Sequence, residues 1–65
     1  MTYEVTIKKH WSGKTYNVTL NSYYRSGFGM ASGRAFDVSY KEAMKVANRQ
    51  AEIYNAPIIK DEGVK

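Results

Sequence analysis

Residue types that carry chemistry are few in this chain, which has one histidine and no cysteine among its 65 residues. His10 falls on the polar side of an alternating stretch beside a predicted turn, and the spacing places no serine or carboxylate next to it. Nucleophilic and general acid–base catalysis need such a neighbour, and a metal centre needs several ligands in one place. We therefore expect a protein that is not an enzyme, with no metal and no cofactor, and an exposed His10.

A glycine-rich stretch, Arg25–Arg34, holds aromatic, basic and thioether side chains on a backbone that breaks regular patterns. Aromatic rings interleaved with arginine can stack on bases and neutralise phosphates, and the same residue types are enriched in protein interfaces. A third possibility is a mobile extension of the hairpin, or a continuation of the second and third strands with Phe28 and Met30 folded inward. We predict a long loop with these candidate binding residues in and beside it: Tyr23, Tyr24, Arg25, Phe28, Met30 and Arg34.

Two alternating stretches precede this loop and predict a β-hairpin, with strands over Tyr3–Trp11 and Lys14–Tyr24. The turn is predicted at Ser12-Gly13, because glycine takes the positive φ that tight hairpin turns need. A four-residue loop closed by His10 and Thr15 would keep the same register and stays open as an alternative. In both arrangements the apolar side chains of the two strands share one face: Val5, Ile7, Val18 and Leu20.

The opposite face of this hairpin is polar and would be left free by a helix packed on the apolar face. Polar side chains on a sheet can enter a nucleic-acid groove or lie along a phosphate backbone, although a solvated sheet face has the same composition. The candidate binding residues here are Lys8, His10, Lys14 and Asn17.

The pattern over Ser39–Asn55 predicts a helix with both ends marked. Ser39 and Glu42 form the S-x-x-E arrangement of a capping box, Asn55 suits a left-handed C-cap, and Pro57 cannot continue a helix. Apolar residues at helical spacing give one buried stripe: Tyr40, Ala43, Met44, Ala47, Ala51 and Tyr54.

A short strand over Arg34–Val38 links the loop to the helix, which predicts an α+β fold: a three-stranded antiparallel sheet in β-β-β-α order with the C-terminal helix across one face. We expect one domain over residues 1–59, with Ile58 and Ile59 docked on the sheet edge, and a frayed charged tail over residues 60–65. The predicted core comprises Tyr3, Val5, Ile7, Tyr16, Val18, Leu20, Phe36, Val38, Ala43, Met44, Ala47, Ala51 and Tyr54. This element order resembles that of the arm-type DNA-binding modules of tyrosine recombinases and of plant AP2-like domains, a resemblance of fold that transfers no site residue.

Composition narrows the class of partner. The formal net charge is +4 with a pI near 9.5, which favours polyanionic partners. No apolar run approaches the ~20 residues that span a bilayer, so we expect no membrane partner and a cytoplasmic location, which the lack of cysteine suits. We predict a small basic binding module, monomeric or homodimeric, that binds nucleic acid through the free sheet face and the Arg25–Arg34 loop. The alternative is a protein-binding accessory factor or inhibitor that uses the same loop or an edge strand, a role that would suit a phage or mobile-element origin.

Overall fold

A computed structural model describes residues 1–61 and residue 64, and its elements are one helix and four strands. The strands are β1 (Thr2–Lys9), β2 (Tyr16–Tyr23), β3 (Gly29–Val38) and β4 (Ile58–Lys60), and the helix α1 (Tyr40–Tyr54) lies between β3 and β4 in the chain. The sheet order is β3-β2-β1-β4, and α1 packs on one face. The α+β class is confirmed, but the prediction of three antiparallel strands is wrong, because the sheet is mixed and has four strands.

The fourth strand is the expected docking of the residues after Pro57 on the sheet edge, in the form of parallel pairing with β1. Val5 N–H donates to Pro57 O and Asp61 N–H donates to Ile7 O, each at 2.9 Å, so the free backbone edge of β1 is satisfied. Lys60, predicted to begin a frayed tail, is the last residue of β4. Residues 62, 63 and 65 of that tail lie outside the described residues.

The register of the first hairpin is confirmed. Val5 pairs with Leu20 and Ile7 pairs with Val18, and all four side chains are buried. The connection is the four-residue alternative, because His10 N–H donates to Thr15 O at 2.8 Å. Two neighbouring polar pairs, Thr6 with Thr19 and Lys8 with Asn17, therefore lie on the other face.

The predicted long loop between the second and third strands is wrong. Tyr24 N–H donates to Phe28 O at 2.8 Å and Gly27 N–H donates to Tyr24 O at 2.9 Å. With Gly27 at φ +88°, this is a three-residue hairpin turn ending in a left-handed glycine. β3 therefore starts at Gly29 rather than at Arg34, and the second and third strands continue through this stretch, as the third possibility expected. Phe28 and Met30 remain 68% and 59% exposed, so they are not folded inward.

The helix has the predicted ends. Ser39 Oγ accepts a hydrogen bond from Glu42 N–H at 3.2 Å, which satisfies one of the free N–H groups of the first turn. Asn55 adopts the left-handed conformation with φ 51° and ψ 51°, and its N–H donates to Ala51 O. Ala56 N–H donates to the same oxygen at 2.9 Å, so the Ala51 carbonyl at this end is capped as well.

The core lies between α1 and the sheet. Six of the predicted core residues are fully buried: Val5, Ile7, Val18, Leu20, Ala43 and Ala47. Six more are partly buried against them: Tyr3, Tyr16, Val38, Met44, Ala51 and Tyr54.

Phe36 is the exception among the predicted core residues, because it is 70% exposed. The pairing of β3 with β2 shifts by one residue at two places, between Thr19 and Val18 and between Val18 and Tyr16, and Asp37 at the second shift has a φ of 59°. These irregularities break the alternation of the strand. Ala35 and Val38 both pack against the core, and Phe36 turns to the opposite face.

Candidate functional site

The face of the sheet opposite α1 is uncovered in the described structure, and we call it the open face. Alternation along β1 and β2 places on it Glu4, Thr6 and Lys8, and Asn17, Thr19, Asn21 and Tyr23. Its centre is a concave groove of about 470 Å³ lined by Glu4, Thr6, Lys8, Thr19, Asn21, Tyr23 and Ala31. The groove therefore offers amide, hydroxyl, carboxylate and ammonium groups to a ligand.

Two hydrogen bonds hold the polar side chains of the groove. Asn21 Nδ2 donates to Thr6 Oγ1 at 2.7 Å, and the Tyr23 hydroxyl donates to Glu4 Oε1 at 3.2 Å. Partial desolvation of the ring and the neighbouring Glu4 carboxylate raise the pKa of Tyr23 above its ordinary value of 10.0. Tyr23 is therefore an uncharged phenol at neutral pH, and its ring closes one end of the groove.

His10 is held at the other end of the open face, and the prediction that it is exposed is wrong. Only 5% of the residue is exposed, and it is the sole buried polar residue among those described. Asn17 Oδ1 accepts the backbone N–H of Asp37 at 2.9 Å and lies 3.1 Å from His10 Nδ1. Because that oxygen can only accept, His10 Nδ1 must carry the proton.

The irregularity in β3 brings the Asp37 carboxylate close to His10. Asp37 Oδ1 lies 3.9 Å from His10 Nε2, which is longer than a hydrogen bond, and it accepts a hydrogen bond from the Thr15 hydroxyl. The His10 ring is thus oriented through Asn17 rather than directly by Asp37. The side chains of His10, Asn17, Asp37 and Thr15 thus form one packed polar cluster.

Two exposed aromatic rings cover this buried histidine. The Phe36 ring packs edge-on to His10 with centroids 4.6 Å apart, and the Trp11 ring lies 5.1 Å from His10. Phe36 is 70% exposed and Trp11 88% exposed. We call Trp11, His10 and Phe36 the aromatic end of the open face.

Sequence reasoning missed both exposed aromatic residues as candidates. Phe36 was assigned to the core by regular alternation, and no local signal marks the irregularity at Asp37. Trp11 could have been found, because the predicted register sets it opposite the charged Lys14 at the turn, where it has no apolar partner.

The other predicted binding residues divide between the two faces. Lys8, Asn17 and Tyr23 lie on the open face with His10, and Lys14 is exposed in the first turn.

Arg25 is exposed at the tip of the second hairpin. The side chains around it form a separate cluster, in which the Tyr24 and Phe28 rings are 6.5 Å apart and the Tyr24 hydroxyl lies 4.0 Å from Met30 Sδ. Alternation from Leu20 and Ser22 places this cluster on the same side of the sheet as α1. Arg34 lies on that side too, with its guanidinium carbon 5.9 Å from the centre of the Tyr54 ring.

Among the described residues, no group of three or more histidine, cysteine, aspartate or glutamate side chains is placed to hold a metal ion. No helix in the same part of the chain combines the length and apolar character that crossing a membrane requires. Comparisons of the chain with protein-family models, with curated proteins and with solved structures find no match.

Proposed function

We propose that this chain is a binding module for single-stranded nucleic acid and that the open face is its interface. The observation that carries the proposal is the exposure of Phe36 and Trp11 at one end of an uncovered, polar sheet face. Stacking of bases on aromatic side chains contributes ~1–3 kcal/mol per base and tolerates any base, because every base has a π-face.

The aromatic end is built to hold these rings in place. Phe36 rests on the buried His10 ring, which Asn17 fixes through its hydrogen bond. A ring held by a buried support loses less conformational entropy when a base stacks on it than a free side chain would. The supported and exposed ring of Phe36 is therefore suited to stacking on a base.

The groove continues the interface away from the aromatic end. Tyr23 lies six positions after Asn17 along β2, a span of roughly 20 Å at ~3.3 Å per residue. Asn21, Thr6 and Thr19 line this span and offer donors and acceptors to the edges of unstacked bases. The length suits a few nucleotides, at the short end of the ~4–16 that single-strand-binding folds cover.

Charge supports the same ligand class. The chain carries a net +4, with Lys8 on the open face and Lys14 in the adjacent turn, both exposed. Each phosphate contact on a single strand should contribute about 0.7 to the slope of log affinity against log salt. Replacing Lys8 or Lys14 with glutamine should therefore lower the slope by about 0.7 each.

Trp11 is the only tryptophan of the chain, so its fluorescence reports directly on the aromatic end. Titration with oligo(dT), the matching RNA and a DNA duplex of equal length at low salt should quench Trp11 most strongly with the single strands. Phe36→Ala should weaken single-strand binding by roughly 5- to 150-fold, which corresponds to the ~1–3 kcal/mol of one stacked base.

Phe28→Ala is the matched control, because it removes an equally exposed phenylalanine from the opposite side of the sheet. It should leave the affinity unchanged. Equal losses in the two variants, tighter binding of the duplex, or no binding of either single strand at low salt would each overturn the proposal.

A further inference from the structure

The outer edge of β3 is open to another strand. In the described part of the chain β3 has a neighbour, β2, on one side only. Tyr24 N–H donates to Phe28 O, and hydrogen-bonded pairs recur at every second residue of an antiparallel ladder from that point. The residues that direct N–H and C=O groups away from β2 are therefore Gly29, Ala31 and Gly33.

We infer that this edge pairs with the same edge of a second copy of the chain, antiparallel and about a twofold axis at Ala31. The segment Gly29–Gly33 is regularly paired with β2, and the first shift in register comes after it. Pairing about Ala31 makes three hydrogen-bonded residue pairs of the outward groups. Since each such pair exchanges two bonds, the contact contains about six backbone hydrogen bonds.

The side chains of this segment are self-complementary, which favours a second copy over an unrelated peptide. On the open face, Ala31 meets Ala31 of the second copy and Gly29 meets its Gly33, so small residues oppose small ones. On the helix side, the long Met30 meets the short Ser32 of the second copy. An isologous contact needs this match between a surface and itself.

Between Gly29 and Gly33 this edge also lacks the features that natural proteins use to prevent strand pairing, and the two register shifts of β3 lie beyond Gly33. Charged residues, proline and bulges protect most exposed edges, whereas residues 26–33 contain neither charge nor proline. Met30 is 59% exposed and Phe28 68% exposed along this edge.

Sedimentation equilibrium from about 10 μM to 1 mM tests the contact without any nucleic acid, in a range that detects weak association. The mass should rise from 7.4 kDa toward twice that value with concentration. Ala31→Lys places two like charges opposite each other on the axis and should keep the chain monomeric throughout. Thr2→Lys adds the same charge to an exposed position of β1 and should leave the association unchanged.

A cross-link identifies the edge itself, because the chain has no native cysteine. Ala31→Cys should form a disulfide-linked dimer on mild oxidation, since Cα atoms of a hydrogen-bonded pair lie ~5.5 Å apart, within the disulfide range. Asn48→Cys, on an exposed position of α1, should not. A monomer at every concentration overturns the inference, as does a dimer that tolerates Ala31→Lys or leaves Cys at position 31 unlinked. Ala31 also lines the groove of the open face, but the inference does not depend on the proposed function, because both experiments are made without nucleic acid.

Discussion

Asn17 stabilises the aromatic end by hydrogen bonding, and Asn17→Ala tests this contribution directly. Its Oδ1 faces two donors, His10 Nδ1 at 3.1 Å and Asp37 N–H at 2.9 Å. Removal of the oxygen leaves the imidazole N–H of a residue that is 95% buried without its partner. The Asp37 N–H belongs to an exposed residue and can turn to water.

The expected cost follows from this difference in burial. An unsatisfied buried donor costs ~1–3 kcal/mol, and an exposed hydrogen bond contributes ~0.5–1.5 kcal/mol at most. We expect a loss of about 2–3 kcal/mol in the free energy of unfolding. An unfolding entropy of ~2.1 cal/mol/K per residue gives about 140 cal/mol/K for this chain, so Tm should fall by about 15–20 °C.

The control is Asn21→Ala, on the same strand and face. Asn21 Nδ2 donates to Thr6 Oγ1 at 2.7 Å, but both residues are only half-buried, so water can replace the bond. This variant should lose about 0.5–1.5 kcal/mol, or about 4–10 °C in Tm. Melts followed by circular dichroism at one protein concentration compare the two. Asn17→Ala melting no lower than Asn21→Ala would show that His10 is not held by Asn17.

Three further predictions concern the cap, the second hairpin and the groove. Ser39→Ala should lower the free energy of unfolding by about 1 kcal/mol and Tm by about 7 °C, while Ser39→Gly should lower the free energy of unfolding by only about a few tenths of a kcal/mol. Equal melting temperatures for the wild type and Ser39→Ala would exclude Ser39 as the cap. Gly29→Ala should destabilise the fold in thermal melts, because the added Cβ would lie 3.0 Å from the Tyr23 ring. Gly33→Ala should be neutral or stabilising, since no described atom lies within 4 Å of its added Cβ. The raised pKa of Tyr23 means that the folded chain holds the phenol proton more tightly than the unfolded chain does. The contribution of this proton to stability is therefore complete below pH 10 and is lost as the pH rises through the folded value. Glu4→Gln should lower the Tyr23 pKa in an NMR titration, and an unchanged value would show that the carboxylate is not the cause.

The sequence by itself determines the elements whose signals are local. The helix ends are marked by Ser39 and Asn55, because caps depend only on residues within one turn of the terminus. The register of β1 and β2 follows from the shared parity of their apolar residues, because a shift by one residue would move a whole apolar set to the solvent face. Both predictions are confirmed by the structure.

Long-range packing decides what those signals leave open. Three residues, Ile58–Lys60, carry too little pattern to specify a strand, and they become one because the edge of β1 offers unpaired backbone groups. The glycines within residues 27–33 predict a loop, because glycine weakens any strand pattern. Pairing with β2 nevertheless extends through Gly29 and Gly33.

The candidate site depends most on the tertiary structure. Four of its predicted members, Lys8, His10, Asn17 and Tyr23, share the open face because alternation on β1 and β2 is regular. Phe36 joins them only through the irregular pairing of β3 with β2, and the irregularity at Asp37 is stabilised by side chains twenty or more residues away in the chain. A contact over that distance leaves no periodic signal, because its partners meet only when the sheet has formed.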